Sequence, residues 1–88
     1  MQYGLYSLET ICPKALNLAM RDWRTIFGEN VRKARLQKGL TQETLAFEAR
    51  IDLTYVGGIE RGKRNPSLLV MARIADALSL PLTKLLQH

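Results

Sequence analysis

Two short helical segments, Thr41–Ala49 and Asp52–Arg61, are separated by only Arg50 and Ile51. Helices joined by so short a link must cross steeply rather than run side by side. Their limits are written in residue types. Thr41 and Asp52 are good N-caps, because a short oxygen-bearing side chain can accept from the open amides of a first turn. Glu43 puts negative charge in that first turn, where the helix dipole favours it. Leu45, Ala46 and Ala49 give the first segment one apolar face, and Val56 and Ile59 do the same for the second. Ala46 faces the next helix, where only a small side chain permits close approach. Gly62 ends the second segment.

The flanking sequence continues the helical pattern. Ile26, Phe27, Val31, Ala34 and Arg35 recur at spacings of three and four, the mark of one helix face beginning near Trp23. Gly39 ends that helix, since glycine takes a left-handed backbone cheaply. Ser67 caps a fourth helix with Leu68, Met71, Ala72, Ala75 and Leu78 on its apolar side, and Pro81 opens a last short helix, Pro81–Leu86. No strand-like alternation is present, so the expected class is all-α. At 88 residues there is room for one core. Residues 1–22 carry Glu9, Lys14, Arg21 and Asp22, which cancel, so the net charge of +5 lies in residues 23–88. This shift marks an N-terminal extension, 1–22, before the functional domain, 23–88. Pro13 to Met20 reads as a short helix that either packs on the domain or frays. Met20 stands where a shorter translation product could begin.

Several functions are excluded by what the chain lacks. Cys12 is the sole cysteine, so neither an intramolecular disulfide nor a zinc cluster can form, and an inert thiol is expected. His88 is the sole histidine and the last residue, which removes a histidine acid, base or metal ligand from the fold. There is no glycine-rich phosphate loop and no carboxylate pair at useful spacing, so no enzyme and no cofactor are expected. The longest apolar run, Leu68 to Ala72, is far shorter than the ~20 residues that cross a bilayer. No secretory signal precedes it. The expectation is a soluble cytoplasmic protein without membrane contact, whose excess of 13 basic over 8 acidic residues favours a nucleic acid or another polyanion as partner.

The steep crossing is the helix-turn-helix geometry. With Thr41-Gln42-Glu43-Thr44-Leu45-Ala46, then Ile59-Glu60-Arg61-Gly62-Lys63-Arg64-Asn65-Pro66-Ser67, and Ile74-Ala75-Asp76-Ala77-Leu78, the chain resembles the phage-repressor-like, or Xre-type, helix-turn-helix family. Within it, the chain looks most like the controller proteins of bacterial restriction–modification systems. Phe27-Gly28, Val31-Arg32 and Lys38-Gly39-Leu40 belong to the same pattern, which covers roughly residues 23–86. The resemblance implies a five-helix domain that sets its third helix in the major groove of double-stranded DNA. It also implies that Gln42 meets a phosphate through its side chain and the helix N-terminal amides, and that Arg35 and Glu60 form a partly buried ion pair.

Residue positions agree with that placement. With Val56 at the buried centre of the third helix and about 100° per residue, Thr54, Gly58 and Arg61 fall on the opposite face, flanked by Tyr55 and Gly57. Thr54 can donate or accept at a base edge, and Tyr55 either faces DNA or packs as an aromatic at the rim of the core. Leu53 stands between a thymine-methyl contact and packing at the core edge. Lys63 and Arg64 are expected on phosphates, and Arg61 on a phosphate or a guanine. Two departures from the family pattern bear on this face. Arg50 occupies the turn position usually held by glycine, so it is either left-handed at a cost of about 1 kcal/mol or the turn changes shape. Gly57-Gly58 removes two side chains, leaving either close backbone approach or reading by neighbours and DNA shape. Residues 1–22 are a third departure, having no counterpart in the compact pattern.

The expected function is a sequence-specific transcription regulator acting as a homodimer on a palindromic operator. It would repress, or activate by touching RNA polymerase. With only Gln87 and His88 beyond the last helix, neither a sensor domain nor a toxin-wrapping tail is expected, which favours a stand-alone regulator over a phage repressor or an antitoxin, while Arg61, Lys63 and Arg64 argue against a protein-interaction adaptor of the same fold. Leu82, Leu85 and Leu86 share one face and are the expected dimer interface, with sealing of the domain's own core as the competing role for Leu82 and Leu85.

Overall fold

In the computed structural model, which describes residues 22–88, the described chain is all-helical. The helix expected at Pro13–Met20, together with Cys12, lies outside the described residues. The first helix, α1 (Trp23–Gln37), buries Phe27, Gly28, Val31, Ala34 and Arg35, the three-and-four spacing seen in the sequence. It is capped by Asp22, which accepts from the Arg24 amide at 3.0 Å and pairs with the Arg24 guanidinium at 2.9 Å. The Arg24 hydrogen bond holds this exposed carboxyl below the usual carboxylate range. The cap therefore belongs to the domain, one residue before the division drawn from composition.

Helix α2 (Gln42–Ala49) is capped by Thr41, whose hydroxyl accepts from the Thr44 amide at 3.0 Å. Helix α3 (Leu53–Glu60) is capped by Asp52, which accepts from Thr54 at 2.9 Å. Helix α4 (Leu68–Ala77) is capped by Ser67, which accepts from Val70 at 3.2 Å. All four helices stop in the same way. One residue turns left-handed, and the amides just past the helix end bond back to carbonyls of its last turn. Leu40 donates to Arg35, Ile51 to Ala46, Lys63 to Gly58 and Leu80 to Ala75. The left-handed residues are Gly39, Arg50, Gly62 and Ser79. Leu40, Ile51 and Leu80, each directly after its left-handed residue, fold back onto the core.

The last helix departs from expectation. It is a 3-10 helix over Leu82–Leu86, with Pro81 extended before it, so the described residues hold four α-helices and one 3-10 helix rather than five α-helices. The segment is short, as 3-10 helices are, and Lys84 donates to the Pro81 carbonyl three residues back, one residue tighter than an α-helical bond. Asn30 of α1 fastens this segment, donating to the carbonyls of Leu85 at 2.9 Å and Gln87 at 2.7 Å.

Helix α1 packs on α3 and on the 3-10 helix, while α2 packs on α3 and α4. Val31, Leu45, Val56, Ile59, Ile74, Leu78 and Leu85 fill the space between them, all but inaccessible to solvent. Removing one such side chain to alanine costs about 2–5 kcal/mol. Two glycines set how closely the helices approach. A Cβ on Gly28 of α1 would press into the Ile59 carbonyl oxygen and lie 3.1 Å from that of Glu60, so α1 and α3 meet backbone to backbone. A Cβ on Gly62 would fall 2.9 Å from the Thr25 hydroxyl. No helix among the described residues is long and apolar enough to cross a membrane.

Candidate nucleic-acid interface

The α2–α3 crossing is made by a turn whose strain is visible. Arg50 has φ 61 and ψ 46, fully left-handed, so the turn keeps its shape and the arginine carries the cost. Its side chain is exposed, and its amide bonds to the Phe47 carbonyl at 3.2 Å. The turn delivers Asp52 to the start of α3, and the first turn of α3 then projects from the body: Leu53 is 42% exposed, Thr54 is exposed, and Tyr55 is half-buried with its inner edge on the core.

The inner end of α3 is fixed by ionic contacts. Arg35 Nε donates to Glu60 Oε2 at 2.7 Å and its terminal nitrogen to Oε1 at 3.0 Å, a two-pronged pairing. The second terminal nitrogen of Arg35 donates to the Leu40 carbonyl at 2.8 Å. The Glu60 hydrogen bond holds the guanidinium above its ordinary value, against the opposing effect of burial. Gln42, the first residue of α2, completes the cluster by donating Nε2 to Glu60 Oε1 at 3.0 Å. The end of α1, the start of α2 and the end of α3 are thus joined through one carboxylate. Gln42 is half-buried, and its amide nitrogen is turned inward. This link was not legible in the sequence, because the partners lie 18 residues apart with no local pattern joining them.

Gly58 is not on an open face as the helical wheel suggests. It is buried, because the Arg64 side chain lies across it, and Gly57 is likewise buried beneath the end of Arg61. The wheel treats α3 as an isolated cylinder, whereas the chain after it folds back over its outer side. Arg61, Lys63 and Arg64 are themselves exposed, and the Arg64 guanidinium carbon stands 5.5 Å from the centre of the Tyr55 ring. Arg64 thereby joins the exposed chain after α3 to Tyr55 in the first turn of the helix.

The expected dimer residues separate. Leu85 is 1% exposed and belongs to the chain's own core, which removes it from any interface between copies. The 3-10 geometry turns it inward, while Leu82 and Leu86 stay half-buried at the surface. Leu86 borders an apolar groove of about 380 Å³ with Trp23, Phe27, Pro66 and Met71. Trp23 meets the ring of His88 edge-on at 5.2 Å. Leu68, 68% exposed, sits three residues before Met71 on the same side of α4.

Residues 31–85 match the helix-turn-helix family. The chain is 47% identical over 58 residues to the control protein C.BamHI of Bacillus amyloliquefaciens, covering 65% of this chain and 72% of that one. It is 39% identical over 67 residues to the control protein C.MunI of a Mycoplasma species, covering 75% and 90%. The crystal structure of the restriction–modification controller protein C.AhdI from Aeromonas hydrophila superposes with a TM-score of 0.69 at 47% identity, over 70% of this chain and 94% of that one.

Proposed function

The chain belongs to the helix-turn-helix family that its residues 31–85 match, and on that premise we propose that it is a DNA-binding transcription regulator of the restriction–modification controller type. Its site of action is cytoplasmic double-stranded DNA. It binds a palindromic operator as a homodimer, with one α3 of each copy in successive major grooves about 34 Å apart. Occupying a promoter represses it, and touching RNA polymerase from a neighbouring site activates it.

The observation that carries this reading is the pairing of a projecting first turn on α3 with a basic border. Leu53 and Thr54 stand out from the body, Arg61, Lys63 and Arg64 follow the helix as exposed cations, and the Arg64 guanidinium reaches back to Tyr55 of that first turn. The Arg35–Glu60–Gln42 cluster holds α3 at a fixed angle, so side chains at its tip arrive in register. Fixed orientation is the useful product of such a cluster, since the net stability from a buried pair is commonly near zero. Thr54 offers a hydroxyl to a base edge, and Lys63 offers a point charge to a phosphate.

These two roles differ in what they do to binding. Lys63→Ala weakens all sequences about equally and lowers the slope of log K against log salt by about one. Thr54→Ala changes the ranking of operator variants and leaves the slope alone. Binding isotherms on a panel of operator variants across a salt series measure both. A uniform loss from both substitutions overturns the placement of α3, and salt-insensitive binding by the unaltered chain overturns DNA as the partner.

A further inference from the structure

Helix α3 has eight residues, and two in succession near its middle are glycines, each costing helix stability relative to alanine. Both are covered by arginines from the chain that follows. A Cβ on Gly58 would lie 2.7 Å from Arg64 Cγ and 3.0 Å from its Nε; a Cβ on Gly57 would lie 3.1 Å from a terminal nitrogen of Arg61. The stem of Arg64 therefore rests on bare helix backbone. Its guanidinium carries on toward Tyr55 and stops 5.5 Å from the ring centre. Among the described residues no carboxylate pairs with it.

We propose that Arg64 reads a guanine in the major groove, and that Gly58 is the positioning residue that seats it. The inference rests on the reading that α3 enters that groove. A cation meant only for phosphate needs no such seat; Lys63, next to it, has none. A guanidinium is the side-chain group whose planar fork matches the O6 and N7 acceptors of guanine. Lying along α3 and stacked at Tyr55, Arg64 has already given up much of the rotamer freedom that base contact would otherwise remove. Its head lies by the first turns of the helix, the part of a recognition helix that meets base edges. The glycines thus leave no gap in the reading face. They let a residue from the following loop occupy it.

The test is selection of bound sites from random duplex DNA by the unaltered chain, Arg64→Lys and Gly58→Ala, with melting curves for each. Arg64→Lys keeps the charge and loses the fork. It is expected to lose about tenfold of guanine discrimination at one position in each half-site, with other positions and the salt slope unchanged. In Gly58→Ala the new Cβ lifts Arg64 from its seat. The same guanine preference is expected to fall, while the melting temperature holds or rises, because alanine favours the helix. Retention of every base preference in Arg64→Lys makes Arg64 a phosphate contact and overturns the proposal. Retention of the guanine preference in Gly58→Ala overturns the role of the seat. Selection of no sequence by the unaltered chain overturns the placement of α3 itself, an outcome distinct from the other two.

Discussion

Two residues, Gly28 and Arg35, fix where α3 stands, one by having no side chain and the other by having a long charged one. Gly28 lets α1 touch the Ile59 and Glu60 carbonyls directly. Any Cβ there meets backbone, which cannot rotate away as a side chain can. Gly28→Ala is expected to cost about 1–3 kcal/mol or more, as overpacking does. In a domain of this size that lowers the melting temperature by roughly 4–8 °C per kcal/mol. A melting curve that matches the unaltered protein would show that α1 and α3 are not in backbone contact. Arg35 acts from the same helix, with 9% of its side chain exposed against 2% for that of Glu60. Arg35→Ala leaves Glu60 with Gln42 alone in an apolar surround, an expected loss of about 3–5 kcal/mol. A double-mutant cycle with Glu60→Gln measures the coupling, expected at about 1–3 kcal/mol. Additive losses would mean that the two side chains do not interact. Nothing in the spacing of positions 35 and 60 pairs them; only the family resemblance pointed there. For the third member, Gln42, the resemblance implies a phosphate contact; its bond to Glu60, 18 residues away, has no local pattern in the sequence.

The helices themselves were the most legible feature, and their ends show why. Asp52, Thr41 and Ser67 cap as their short polar side chains dictate, and Gly39 and Gly62 are left-handed where glycine was expected to stop a helix. Local chemistry suffices for such features, since cap and capped amide are two or three residues apart. Arg50 shows the same physics at higher cost. Its φ of 61 belongs to the region that L-residues avoid by about 1–2 kcal/mol, and its exposed side chain gives little in return. Arg50→Gly relieves that strain but adds freedom to the unfolded chain, worth about 0.5–1 kcal/mol in the other direction. The net expectation is a gain of about 0.5 kcal/mol, or roughly 2–4 °C in melting temperature. A fall on substitution would mean that the Arg50 side chain stabilises the turn. What was not legible depended on distant chain. The 3-10 form of Leu82–Leu86 is tied by Asn30, more than 50 residues earlier, and turns Leu85 into the core. The burial of Gly58 depends on Arg64, beyond the end of its helix. A helical wheel carries neither fact.

The proposed assembly of two copies would turn on apolar surface that the domain does not cover by itself. With Leu85 buried, the candidate interface shifts to Leu86, Trp23 and Met71 around the groove, extended along α4 by Leu68. These residues come from the start of α1, the start of α4 and the 3-10 helix, so the patch depends on the folded domain rather than on one terminal helix. A two-fold arrangement would set the patch of one copy on that of the other and cover both. Leu68 is the better probe, because at 68% exposure it contributes little to its own core, whereas Leu86 is half-buried. Leu68→Lys is therefore expected to melt within about 0.5 kcal/mol of the unaltered chain, as surface substitutions do. In a dimer it would place two like charges in an apolar contact. Sedimentation at micromolar concentration is expected to show a dimer for the unaltered chain and a folded monomer for Leu68→Lys. Operator affinity should fall with it, since a monomer engages only one half-site. Leu86→Lys should give the same monomer with some loss of stability as well. If Leu68→Lys stays dimeric while Leu86→Lys dissociates, the contact is confined to the groove around the 3-10 helix. If both stay dimeric, the copies meet on another surface, and the two α3 helices are then set by that surface rather than by the α4 patch.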